Sequence, residues 1–182
     1  GFPSALYGAY WDSIKLHTQL AMTEKDAAEK RVLLGKSMES IGKFIEIADR
    51  LLPKDLFRDG IGGFLADAEY QLSEIAADRD ERVGGIRSAI KHKKADIEAF
   101  VASSESYIGL RPLMDPWIGA SLQACGRWST TLYELTGERE ALSAAIEAFS
   151  QSASHFRKAG WPSRCAEDHW QAAMVHGTLG EH

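Results

Sequence analysis

Apolar residues recur along this chain at helical spacing almost from end to end. Leu34, Met38, Ile41, Ile45, Ala48 and Leu52 advance by alternating fours and threes, which sets them on one stripe of a long helix. Phe57, Ile61, Phe64, Ala68, Leu72 and Ile75 form a second stripe. Val83, Ile86, Ile90, Ile97 and Phe100 form a third, interrupted by Lys93 and Lys94. Ile118, Leu122, Cys125, Leu132 and Leu135 come next, then Leu142, Ala145, Phe149, Ala153 and Phe156. Sustained period-two alternation is absent, so the pattern predicts an all-α chain.

Breakers divide the pattern into about seven helices, near 4–21, 24–52, 55–77, 80–104, 113–135, 138–159 and 163–179. Thr23 with Asp26 reads as a capping pair, with the hydroxyl as the cap. Pro53 ends the second helix, Asp78 and Asp80 can cap the fourth, and Asp115-Pro116 sets an N-cap before a proline at a first helical position. Gly160-Trp161-Pro162 breaks the chain before the last helix. Short connections predict antiparallel packing of successive helices, with 105–112 as the longest and most mobile link.

A repeat shows through this map. Trp11 precedes Leu20-Ala21-Met22-Thr23-Glu24, Trp128 precedes Leu135-Thr136-Gly137-Glu138, and Trp170 precedes Leu179-Gly180-Glu181. A weaker copy runs from Tyr70 through Ile75 to Asp78. Stacked helical hairpins produce such a pattern, each burying its apolar face against its neighbours. Trp11, Trp128 and Trp170 are then expected as ring anchors within hairpins, with Trp117 and Trp161 at inter-repeat contacts or as an aromatic ligand box.

The stretch Trp128 to Gly160, with Tyr133, Gly137, Ala145, Phe149 and Ala153, resembles a tetratricopeptide-type hairpin. The stretch from Ala144 through Phe156-Arg157-Lys158-Ala159-Gly160 to Trp170 and Leu179-Gly180-Glu181 is similar to the long-helix cousins of that family, such as the soluble NSF attachment proteins. The resemblance covers roughly 128–181. It implies a right-handed α-solenoid of antiparallel helix hairpins in one domain over 1–182, binding a peptide or another protein as a scaffold, without chemistry of its own. In that family the groove is lined by the first helix of each hairpin. Tyr70, Glu74, Gln123, Arg127, Asp168 and Gln171 stand on those helices away from the apolar stripes and are the expected partner-binding residues. As solvent-facing side chains, Gln123 and Arg127 should be replaceable without loss of stability.

Composition narrows the partners. The 182 residues are 45% hydrophobic and 26% charged, as in a folded globular protein, and 21 Lys+Arg against 26 Asp+Glu give a net charge of −5. That balance offers no overall cationic field for nucleic acid or anionic lipid. The start, Gly1-Phe2-Pro3-Ser4, lacks the features of a signal peptide, and two cysteines without CxxC spacing read as free thiols, so a cytoplasmic setting is expected.

Candidate chemistry is sparse. Cys165, His169 and His176 share a stripe of one helix, but His176 lies about 10 Å beyond His169 and further ligands such as Cys125 or His155 would have to come from elsewhere. No metal or other cofactor is expected. Glu138 and Glu140 suit a helix N-terminus better than acid–base catalysis. His169 cannot face Glu167 or Asp168 on its own helix. Gly60-Ile61-Gly62-Gly63 lacks the lysine of a phosphate loop and predicts close helix approach. Arg87 and Lys91-His92-Lys93-Lys94 read as an exposed cationic helix face, with an acidic peptide as the sharper alternative. A ligand-sensing helical domain is the second functional reading. The apolar residues of the last helix, Trp170, Ala172, Met174 and Val175, predict either a piece of a longer protein or a homodimer through that helix.

Overall fold

Every regular element among the described residues is an α-helix. The structure, a computed structural model, describes residues 2–51, 61–106 and 111–180, with side chains over 8–47, 61–102 and 114–180. Its seven helices are α1 (Phe2–Thr23), α2 (Ala27–Leu51), α3 (Ile61–Glu74), α4 (Arg79–Ser106), α5 (Arg111–Thr136), α6 (Arg139–Lys158) and α7 (Pro162–Gly180). Pro53, Phe57, Gly60 and positions 107–110 of the predicted link lie outside the described residues. The remainder of that link is helical, belonging to α4 and α5.

Backbone chemistry explains where the helices start and stop. Asp26, not Thr23, caps α2: its Oδ1 accepts the N–H groups of Ala28 and Glu29, both at 2.9 Å. The Thr23 hydroxyl instead donates back to the Leu20 carbonyl at 3.0 Å. Asp78 caps α4 by accepting from the Glu81 N–H at 2.9 Å. Asp115-Pro116 does not open a helix; Pro116 stands inside α5, and Asp115 accepts from His155 Nδ1–H at 2.7 Å. Gly160 takes a left-handed φ of 74° after α6, where Trp161 N–H reaches the Phe156 carbonyl (2.8 Å) and Gly160 N–H the Arg157 carbonyl (3.1 Å). That bond pair is a Schellman turn, which only a residue without a Cβ adopts cheaply.

By its packing the chain divides into two compact units, Gly1–Ala99 and Phe100–His182. In the first, Ile14, Ile41, Phe44 and Ile61 bring α1, α2 and α3 together, and Trp11 packs on Phe44 (5.7 Å between ring centres) and edge-on to Phe64 (5.3 Å). Hydroxyls pair across α1 and α2: Thr18 with Ser37 at 2.9 Å and Ser13 with Ser40 at 3.0 Å. The α3–α4 approach is set by glycine at Gly62, where a Cβ would come within 2.9 Å of Asp96 Oδ1, and at Gly85, within 2.8 Å of Ser73 Cβ.

In the second unit, α6 lies antiparallel to α5. Two phenylalanines seven residues apart on α6, Phe149 and Phe156, press on two glycines seven apart on α5, Gly126 and Gly119. A Cβ on Gly126 would sit 2.8 Å from the Phe149 ring, and one on Gly119 would sit 3.0 Å from the Phe156 ring. Both rings are 1% exposed. Helix α7 closes the other side of α6, with Ala172 and Val175 joining Leu142, Ala145 and Phe149.

The same substitution should therefore have opposite signs at two helical glycines. Gly84 on α4 has open space around it, so Gly84→Ala gains up to about 1 kcal/mol from helix propensity. Gly126→Ala forces a buried ring aside and should lose about 1–3 kcal/mol net. Thermal melts followed by circular dichroism read both; equal shifts in the two variants would contradict the ring-on-glycine contact.

Candidate functional site

The six residues expected to line a groove are distributed over both units. Tyr70 is half-buried and Glu74 exposed on α3, while Gln123 and Arg127 lie on α5 and Asp168 and Gln171 on α7. The structure joins Gln123 to Asp168 directly and brings Arg127 beside them through Glu167.

The solvent-facing placement expected of Gln123 and Asp168 is corrected: they are 4% and 0% exposed. An amide N–H of Gln123 donates to Asp168 Oδ1 at 2.6 Å, and its Oε1 accepts from Arg164 at 3.2 Å. Glu167 then receives Arg127 at 3.2 Å and lies 3.6 Å from Arg164. The outer pairs are exposed and weak; the inner amide–carboxyl bond is shielded from water. Asp168 Oδ2 has no hydrogen-bond partner among the described residues. Burial pushes the Asp168 carboxyl above its ordinary value of 3.8, opposed by the Ser152 hydroxyl and the Gln123 amide. The Ser152 hydroxyl donates to the Gly119 carbonyl at 2.7 Å, tying this polar island to the α5–α6 contact.

Other expected features are redistributed. Lys93 is not on an exposed cationic face but 6% exposed, its ammonium donating to the Gly63 carbonyl (3.1 Å) and Asp67 (2.8 Å). His92 meets Glu69 at 2.7 Å, and Ser88 donates to the same carboxylate at 2.9 Å. The basic run thus turns partly inward because α3 supplies carboxylates opposite it. Trp128 is buried as expected of an anchor, whereas Trp170 is 60% exposed, contrary to the anchor expectation. No group of three or more His, Cys, Asp or Glu side chains among the described residues is placed to hold a metal ion. No helix among them is long and apolar enough to cross a membrane.

Two surface features of α7 give a place to the Trp161 ligand-box alternative and to the apolar residues Trp170 and Met174 expected from the sequence. The first is a pocket of about 310 Å³ at the α6–α7 turn, between Arg157, Trp161 and the first two turns of α7. The second is an outward stripe of Ala166, Trp170, Ala173, Met174 and Gly177, all exposed. The spacing of the stripe is in the sequence; its exposure depends on which side of α7 meets α6. No protein-family model, no curated protein and no solved structure matches this chain.

The sign of the Asp168 effect follows from its raised pKa. Below the unfolded value of about 3.9 the carboxyl is protonated in both states and costs nothing; as pH rises through the higher folded value, the folded state loses stability. Asp168→Asn keeps an acceptor for Gln123 and removes that loss. The variant should therefore gain stability over the parent as pH rises from 4 to 7 in urea melts, and a difference independent of pH would contradict the shift.

Proposed function

We propose that this chain is a non-enzymatic protein-binding module, built of tetratricopeptide-like hairpins of the right-handed α-solenoid kind, whose last helix docks an amphipathic helix of a protein partner. The observation that carries the reading is that α7 is apolar on two sides. Its inner side, Cys165, Ala172 and Val175 among others, is buried. Its outer side presents Trp170 and Met174, 60% and 57% exposed, between Ala166, Ala173 and Gly177. From Ala166 to Gly177 this stripe spans about 16 Å, three helical turns.

Large side chains standing between small ones form a ridge with hollows beside it, the relief that a second helix interlocks with. An extended peptide would need backbone partners, and a helical face has none to give. The stripe itself carries no charged side chain, which favours protein over nucleic acid. Gln171, adjacent to Trp170, and Arg127, held to Glu167, are the members of the expected groove set that can supply polar flanks. Antiparallel packing of α5, α6 and α7 through short connections supports the hairpin reading, as does the buried anchor Trp128.

A photo-crosslinking amino acid at position 170 should capture one discrete polypeptide from an extract of the source cells. Trp170→Ala and Met174→Glu should each weaken that association about tenfold or more, as truncating a central interface anchor does. Both variants should melt within about 0.5 kcal/mol of the parent, because the changed side chains are exposed. Undiminished capture in both variants would refute the docking face, and capture of a second copy of this chain would redirect it to self-association.

A further inference from the structure

The pocket at the α6–α7 turn combines three properties. Its walls are mainly apolar: the Trp161 indole stacks parallel on Phe156, 5.8 Å between centres and 7° between planes, and Pro162 and Ala166 continue the surface. Its floor is Cys165, 8% exposed, whereas the other lining residues are open. Its polar edge is Arg157, with one guanidinium nitrogen 3.1 Å from His169 Nε2.

That last contact is informative. Arginine can only donate, so His169 Nε2 accepts and the ring keeps its proton on Nδ1 as a further donor. Among the described residues Arg157 meets no carboxylate. The acids of α7 are engaged elsewhere, Glu167 with Arg127 and Arg164, and Asp168 in the interior with Gln123. An exposed guanidinium with spare N–H groups thus stands at the edge of an apolar hollow, beside a second donor ring.

We propose that this pocket binds a small molecule carrying one carboxylate on a flat apolar body. The guanidinium takes the two carboxylate oxygens, which match its paired donors. The flat body lies along Trp161 and over Cys165 and Ala166, where stacking and removal of apolar surface from water favour it. The volume is at the lower end of small-ligand sites, so the ligand is an arylalkanoate-sized molecule rather than a nucleotide. A phosphate or sulfate would gain only the polar edge and leave the apolar walls wet. The site is formed entirely by the end of α6, the turn and the start of α7, and the Schellman turn at Gly160 holds Trp161 in place. It is distinct from the docking stripe, with which it shares only Ala166.

The test is a titration of ¹⁵N-labelled protein with phenylacetate, indole-3-acetate and benzoate, against phenylacetamide as the uncharged control. At least one carboxylate should saturably shift the Trp161 indole N–H, assigned with Trp161→Phe, and the Gly160 amide. The amide control should bind about tenfold more weakly or not at all, as loss of a charge-assisted hydrogen bond predicts. Arg157→Met should produce the same loss while melting like the parent, and Trp161→Ala should weaken binding of every carboxylate. Equal binding of phenylacetamide, undiminished binding by Arg157→Met, or no saturable shift with any of the three carboxylates up to about 10 mM, a limit near 3 kcal/mol of binding free energy, would overturn the proposal. None of these readouts uses Trp170 or Met174, so they leave the docking face to its own experiment.

Discussion

Two aromatic rings laid on two glycines set the spacing on which the second unit depends. Because Gly119 and Gly126 have no side chains, α6 comes close enough for Phe149 and Phe156 to lie against the α5 backbone. Close packing of this kind tolerates little change in volume, since any added atom must displace a ring that is itself enclosed. With α6 fixed at that depth, the Ser152 hydroxyl reaches the Gly119 carbonyl, and the other side of α6 receives Ala172 and Val175 of α7. The polar island around Asp168, the α6–α7 turn and the outward face of α7 all take their positions from this contact.

The first unit solves the same problem with different chemistry. Its α3–α4 approach also uses glycine, but the groups that fill the space are polar: Asp96 over Gly62, and the Lys93 ammonium between the Gly63 carbonyl and Asp67. A buried ammonium is tolerable only when its protons are taken up, and here a carbonyl and a carboxylate both accept.

Helix number and order were legible in the sequence because each amphipathic stripe is long and most boundaries carry local signals, such as Asp78 and Gly160. Lateral detail was not. A single stripe assigns one buried side to each helix, yet α5 buries Ile118 and Leu122 and also Ser121, Gln123 and Ser129. Polar side chains on a second buried side look solvent-facing in any one-stripe reading, and Gln123 is such a case; Lys93 and Asp168 instead stand within the buried stripes of their helices, where a charge reads as an interruption of the apolar pattern. Gly119 and Gly126 carried a usable signal, being seven residues apart opposite two phenylalanines seven apart, but the pairing becomes visible only once α6 is set antiparallel to α5. Trp170 failed as an anchor for a related reason: α7 has apolar residues on both sides, and periodicity alone does not say which side its neighbour covers.

The hydroxyl pairs between α1 and α2 bear on how that hairpin finds its register. An interface of interchangeable aliphatic side chains lets one helix slide along the other by a turn at little cost. Here a slide of one turn would set Thr18 against Leu33 or Ile41 and part the Ser13–Ser40 pair. Hydroxyls enclosed without partners cost about 1–3 kcal/mol each. Thr18, Ser37, Ser13 and Ser40 therefore favour the observed register of α1 on α2 over one displaced by a turn.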